Sequence, residues 1–232
     1  MTPVWARELA DAFWRAVGPE PFPRTFAKVA LGLPVTVVER PGLSLGAIRD
    51  WLARRSSVTV PGPDRAVRGC LLAHAGFGFV FVEANDPPAE RRFTRAHELA
   101  HYLRDVWHPR RRAVARLGAG ITEVLDGRRR PTTDERLHAV LRGLAAGPVV
   151  HLLGRGEDES PVMREAEAAA DRLAFELLAP AEGVGVSGGR AELVDRLVRI
   201  FGLPPGPAAR YAAVLIPRDV GTDPVVARLF GR

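Results

Sequence analysis

The sequence predicts an α+β fold that is mostly helical, with a small sheet of three or four mainly antiparallel strands. Short runs of strand-forming residues occur at 35–39, 68–74 and 77–83, and Ala75 and Gly76 form a short turn between the last two. Apolar residues at helical spacing dominate the rest of the chain. A content of 47% hydrophobic and 26% charged residues over 232 residues is typical of one large or two small globular domains.

The helices are placed by their apolar spacing and by their end signals. The first is predicted over 4–17, before Gly18 and Pro19, and the next begins after Ser44 as N-cap and ends near residue 55. Later helices are predicted over 89–107, 113–125, 133–146, 161–178, 191–201 and 207–216. Residues 154–160 are predicted to be a polar loop that ends in the N-cap Ser160.

The helix over 89–107 contains the motif His-Glu-x-x-His, from His97 to His101. Histidines four residues apart share one face of a helix, so both imidazoles can bind one cation, and Glu98 can reach a water molecule on that cation. Zn²⁺ suits these ligands, and Mn²⁺ is the alternative. Two surface histidines on an amphipathic helix are the other interpretation. We expect the predicted sheet to pack on this helix.

A third ligand must come from elsewhere, because a catalytic zinc site usually has three protein ligands. The helix over 161–178 contains Glu165, Glu167 and Asp171. Glu167 and Asp171 are four residues apart, so Glu167 could bind the metal while Asp171 accepts a hydrogen bond from a ligand histidine. Glu167 is the first choice and Glu165 the reserve. Solvated charge near a helix N-terminus is the alternative explanation of both glutamates.

Two segments resemble a known family. Residues 92–101, Arg-Phe-Thr-Arg-Ala-His-Glu-Leu-Ala-His, look like the active-site helix of the ImmA/IrrE metallopeptidases, and residues 167–180 are similar to that family's ligand helix and its Leu-Leu-x-Pro ending. The resemblance implies zinc ligands at His97, His101 and Glu167, a general base at Glu98, and Asp171 as the support of a ligand. It also implies cleavage of a helix-turn-helix transcriptional repressor in a stress or mobile-element response.

The segment between His101 and Glu167 is longer than this family's pattern. We therefore predict a metallopeptidase domain over 1–182, with a helical insertion at about 108–160, and a C-terminal helical segment over 183–232 whose spacing is compatible with a helix-turn-helix. The insertion could be a lid, a substrate-binding surface or an arm that faces DNA.

The formal net charge of +6 is concentrated in one block. Residues 91–130 contain 11 arginines and 4 acidic residues. A basic surface could recruit an acidic part of the substrate or hold the enzyme near DNA, and a solvated surface is the plain alternative. The candidate contacts are Arg110, Arg111, Arg112, Arg128, Arg129 and Arg130.

The leading hypothesis is a zinc-dependent endopeptidase that acts on a specific protein. The alternative is a DNA-binding regulatory protein in which the metal is structural, and Glu98 discriminates between them because a structural site needs no such carboxylate. A second electrophile could be Tyr102, His108, His138 or His151, and spacing selects none of them.

The chain is expected to be cytoplasmic. No secretory signal is visible, and no apolar run reaches the roughly 18 residues that span a membrane. The single cysteine, Cys70, is expected to be buried and inert, as suits a reducing compartment. The sequence makes no prediction about the oligomeric state.

Overall fold

The protein is described by a computed structural model over residues 2–55, 58–137, 149–153 and 161–216. The strands are β1 (Val35–Arg40), β2 (Gly69–His74), β3 (Phe77–Glu83) and β4 (Val149–Leu153). The helices are α1 (Val4–Val17), α2 (Val29–Gly32), α3 (Leu45–Ala53), α4 (Pro88–Tyr102), α5 (His108–Leu117), α6 (Ile121–Leu125), α7 (Thr133–Leu137), α8 (Pro161–Leu178), α9 (Ala181–Val184), α10 (Arg190–Arg199) and α11 (Pro205–Leu215).

The four strands form one sheet in the order β1-β3-β2-β4. β2 is antiparallel to both β3 and β4, whereas β1 is parallel to β3. The α+β prediction is confirmed, and the sheet is mixed. The parallel pair arises because α3 lies in the connection that returns the chain from β1 to the other strands, as parallel pairing requires a crossover.

Alternation along the strands divides the core between the two faces of the sheet. On one face, Leu71 and Val80 join a large cluster with residues of α1, α4, α8, α10 and α11. On the other face, Cys70 and Phe81 pack with Ile48 of α3. Ser44 caps α3 as predicted, its hydroxyl accepting a hydrogen bond from the Ala47 amide at 3.2 Å. Cys70 is buried, as expected.

The helical run that begins with α4 continues further than the predicted end at residue 107. The chain turns through one π-helical turn, Leu103–Trp107, and then directly into α5. In that turn the His108 amide donates to the Leu103 carbonyl five residues back. The wider turn accommodates Pro109, which has no N–H to donate to the ladder. The helix predicted over 113–125 is wrong in its limits, because Gly118, with a φ of 81°, ends α5 before the short α6 begins.

Strand β4 is missing from the sequence prediction. It lies inside the predicted insertion at 108–160, so that segment is not wholly helical and contributes an edge strand to the sheet. Five apolar-rich residues are too few for periodicity to identify a strand. Residues 138–146 of the predicted helix 133–146, the loop 154–160 with Ser160, and the candidate His138 lie outside the described residues.

The C-terminal helices pack on the ligand helix predicted at 161–178. Leu193, Leu197 and Tyr211 are buried in the same cluster as Phe175 of α8. Tyr211 stacks on Phe175 with ring centroids 4.5 Å apart, and its hydroxyl donates to the Ala179 carbonyl at 3.0 Å. The domain boundary at 182 and a helix-turn-helix role stay predictions. No helix within the described ranges is long and apolar enough to cross a membrane.

Candidate metal centre

Helix α4 places the two histidines of the motif on its buried face. It packs against β2, β3 and α8, and His97 and His101 are 2% and 1% exposed. Their Nε2 atoms lie 3.2 Å apart. The i, i+4 spacing therefore brings both imidazoles to one point, as predicted.

Helix α8 brings Glu167 to the same point. Its Oε2 lies 2.8 Å from Nε2 of His97, and its Oε1 lies 3.2 Å from Nε2 of His101. Glu165, the reserve ligand, lies two residues before Glu167 on α8 and is exposed to solvent. Of the two glutamates, only Glu167 thus belongs to the group of three residues whose donor atoms converge.

The spacing of these donors fits a metal ion. Ligands about 2.0–2.1 Å from a tetrahedral zinc stand roughly 3.3 Å from one another, close to the separations between His97, His101 and Glu167. Two histidines and one glutamate are also a ligand set of catalytic zinc sites. Electron-pair donors that face one another this closely require a proton or a cation between them. The residues therefore fit Zn²⁺, and their chemistry also accepts Mn²⁺.

Asp171 contacts Nδ1 of His97, the ring nitrogen that does not face Glu167. Its Oδ1 lies 3.0 Å from Nδ1 of His97, and its Oδ2 accepts a hydrogen bond from Nη2 of Arg210 at 3.2 Å. A proton on Nδ1 then donates to Asp171 and leaves the Nε2 lone pair for a metal. Burial alone would lower the pKa of His97, but hydrogen bonds to Asp171 and Glu167 outweigh it and raise that pKa to about 10, so a cation that binds Nε2 displaces a proton from it.

Glu167 is held as a carboxylate. Partial burial raises its pKa, but hydrogen bonds to His101 and His97 lower it more strongly, to well below the usual range. Its ionised form supplies the negative charge that a divalent cation needs.

Glu98 lies beside this group and is fully buried. Burial raises its pKa to about 8, against the opposing effect of His97. Neither carboxylate oxygen makes a hydrogen bond of good geometry among the described residues, and the Leu71 backbone offers only a weak one. Gly69 of β2 provides the space, because a Cβ there would lie 2.6 Å from Oε1 of Glu98. The result is a buried, unsatisfied carboxylate that can take up a proton.

A cleft of about 670 Å³ opens at this group. His97, Glu167 and Asp171 form part of its wall, together with Phe93. The described cationic side chains on its wall are Arg68, Arg164 and Arg210. Arg210 is thus a residue of the site, and only the packing of α11 on α8 reveals it.

The six arginines predicted to contact DNA or substrate lie away from the described wall of this cleft. Asp126 pairs with both Arg110 and Arg128 at 2.6 Å, and Arg129 pairs with Glu135 at 2.6 Å. Arg111 lies over the Trp107 ring. Arg112 and Arg130 are exposed. Contact of this block with DNA or substrate stays a prediction.

The candidates for a second electrophile are now separated by position. The Tyr102 hydroxyl donates to the Gly76 carbonyl at 2.7 Å, so this side chain holds the hairpin turn. His108 is exposed at the start of α5. His151 of β4 stacks on His101, with ring centroids 3.9 Å apart. Sequence reasoning missed Asp105, although its i+4 spacing from His101 was a usable signal.

Comparison with known proteins finds a family model that matches part of the chain. Residues 61–115 match the family model of the IrrE N-terminal-like domain, a peptidase family. The matched segment contains β2, β3, the whole of α4 and therefore His97, Glu98 and His101, but it ends before Glu167. A search of the curated proteins and of the solved structures gives no significant match.

Proposed function

We propose that this chain is a zinc-dependent endopeptidase of the ImmA/IrrE type in which Glu98 is the general base, because residues 61–115 match the IrrE N-terminal-like domain of a peptidase family. The observation that carries this proposal is the convergence of His97, His101 and Glu167, within hydrogen-bond distance of one another, beside a buried carboxylate without good partners. A structural site needs the three ligands but gains nothing from Glu98, whose burial costs free energy.

Each protein group has its own role in the proposed hydrolysis. His97, His101 and Glu167 hold the cation, which when bound polarises the scissile carbonyl and acidifies water. Glu98 accepts a proton from the attacking water at a carboxylate oxygen and then donates it to the leaving amine. Asp171 keeps the Nδ1 proton of His97 in place throughout. Burial raises the pKa of Glu98 above the ordinary carboxylate range, which makes it a stronger base than an exposed glutamate.

The cleft supports a polypeptide as substrate. Its volume of about 670 Å³ is in the range of binding clefts, and its wall combines the apolar Phe93 with three arginines. By the family resemblance, the substrate is a helix-turn-helix transcriptional repressor whose cleavage releases stress-response or mobile-element genes in the cytoplasm. An acidic segment of that repressor, or DNA beside it, would meet the arginines of residues 91–130.

The test is a comparison of the zinc-loaded wild-type chain with Glu98→Gln on a peptide library made from a digested bacterial proteome, with new termini identified by mass spectrometry. We expect the wild type to create new termini and Glu98→Gln to create none, while both retain zinc. Glu182→Gln, an exposed carboxylate of α9 that is not on the described wall of the cleft, is the matched control and should cleave. Equal cleavage by wild type and Glu98→Gln would show that the mechanism is wrong.

The alternative function, a DNA-binding regulator with a structural metal, makes a different prediction for the same samples. It requires that zinc-loaded wild type creates no new termini and that its affinity for duplex DNA falls as zinc is removed. Fluorescence anisotropy on a labelled random duplex, at two salt concentrations, measures that affinity.

A further inference from the structure

His101 has an unusual environment on the side away from the metal group. Its Nε2 faces His97 and Glu167, whereas its buried Nδ1 makes no hydrogen bond among the described residues. The nearby acceptor is Oδ2 of Asp105, 3.6 Å away, which is longer than a hydrogen bond but within ion-pair range. His97, by contrast, has the direct contact to Asp171. A ligand histidine needs such a partner to hold its tautomer and ring orientation.

Asp105 is itself held from two sides. Nε and Nη2 of Arg104 donate to its two carboxylate oxygens at 2.7 and 2.8 Å, and Nη1 of the same arginine donates to the Ala166 carbonyl at 2.6 Å. Ala166 directly precedes the ligand Glu167 on α8. Arg104 thus connects the Asp105 carboxylate, which lies next to the ligand His101, to the backbone of α8 that positions the ligand Glu167. His151 completes the arrangement, with Nε2 at 3.2 Å from Oδ2 of Asp105.

The local backbone explains how Asp105 reaches this place. It lies in the π-helical turn Leu103–Trp107 that follows α4 immediately. Asp105 follows His101 by four residues and so lies on the same side of this helical run, and turns of this kind are concentrated at functional sites.

His151 comes from the part of the chain that departs from the family pattern. Strand β4 pairs with β2 so that His151 is opposite Leu71. Its ring stacks on that of His101, with 3.9 Å between the centroids and 20° between the planes. His151 therefore contacts both the ligand His101 and the carboxylate behind it, which places the edge strand in the metal site.

We propose that Asp105 and His151 are positioning residues for the metal ligand His101. In this proposal Asp105 orients His101 through its Nδ1, as Asp171 orients His97. His151 packs the His101 ring in its binding orientation and holds Asp105 towards Nδ1. The inference rests on the metal centre of the proposed function, but not on peptide hydrolysis.

A second metal ion at this place is the competing explanation, since donor atoms of His101, Asp105 and His151 also lie close together. The guanidinium of Arg104 occupies both oxygens of Asp105, and a second cation would have to displace it. It would also share one imidazole with the first cation. The contacts therefore favour positioning, and the metal stoichiometry distinguishes the two.

The experiment measures metal binding in Asp105→Asn, His151→Phe and His151→Ala. The zinc dissociation constant is obtained by competition with a chromogenic chelator, the stoichiometry by atomic absorption, and the ligand geometry from the visible spectrum of the Co²⁺-substituted chain. We expect one zinc per wild-type chain, and a 10–100-fold weaker affinity with an altered Co²⁺ spectrum in Asp105→Asn. His151→Phe retains a ring to stack on His101 and should weaken zinc less than His151→Ala.

Asp126→Asn is the matched control, because Asp126 is likewise an aspartate whose carboxylate is paired with guanidinium groups and largely shielded from solvent, but its partners are Arg110 and Arg128, away from the metal group. Thermal unfolding of every variant verifies folding. Zinc affinity and a Co²⁺ spectrum in Asp105→Asn that match those of Asp126→Asn would overturn the proposal, and so would two zinc ions per wild-type chain. A chain that binds zinc as expected but cleaves no peptide would contradict the proposed function alone.

Discussion

Nδ1 of His97 and Oδ1 of Asp171 lie 3.0 Å apart although the two residues are separated by 74 positions in the chain. The contact joins α4 to α8, the two helices that supply the three candidate ligands. It shows that the site depends on the packing of these helices as much as on the motif within one of them.

Asp171→Asn should weaken zinc binding about 10–100-fold, because an amide supports the Nδ1 proton of His97 less well than a carboxylate does. Chelator competition measures the dissociation constant. The control is Asp195→Asn, which removes an exposed aspartate paired only with Arg199 in the described contacts. If both variants bind zinc as tightly as the wild type, the supporting role of Asp171 is excluded.

Glu167→Gln should lose most of its bound zinc after dialysis, because the substitution removes the anionic ligand and leaves two neutral imidazoles. Atomic absorption gives the zinc content per chain. Glu165→Gln, two positions away on the same helix and exposed, should retain a full zinc content. Undiminished zinc in Glu167→Gln together with a loss in Glu165→Gln would transfer the ligand role to the reserve residue.

Gly69→Ala should impair hydrolysis more than metal binding. The new Cβ would lie 2.6 Å from Oε1 of Glu98 and 2.6 Å from Cγ2 of Thr94, so the Glu98 side chain must move. We expect at least a tenfold lower cleavage rate on a peptide that the wild type cleaves, and a stability loss of about 1–3 kcal/mol. Gly183→Ala has no atom within 4 Å of the new Cβ and is the control. A cleavage rate unchanged by Gly69→Ala would contradict the proposed position of Glu98.

Ile48→Ala should destabilise the fold by about 2–5 kcal/mol, since it creates a cavity in a fully buried position. Chemical denaturation measures the free energy of unfolding. Ile48 belongs to the cluster on the face of the sheet opposite α4, so the zinc affinity of the folded variant should not change. A large loss of zinc affinity at full folding would show that the two faces of the sheet are coupled.

Local signals predicted many of the elements correctly. The limits of α1 and of the β2–β3 hairpin, and the Ser44 cap of α3, agree with the structure because each depends on neighbours along the chain. The failures are of another kind. Strand β4 depends on pairing with β2, a distant part of the chain, and the π-helical turn that joins α4 to α5 is not visible in apolar spacing.

The same distinction between local and long-range signals applies to the site. The helical period was enough to predict that His97 and His101 share a face with Glu98 beside them, because it places residues four apart on one side of a helix. Spacing ranked Glu167 above Glu165, because Asp171 follows Glu167 by four residues, but it could not show which side of α8 packs against α4. Only the tertiary structure brought Glu167 to the two histidines, and it also brought Arg210 and His151 to the site, because their contacts join elements whose relative position is decided by burial of the shared core.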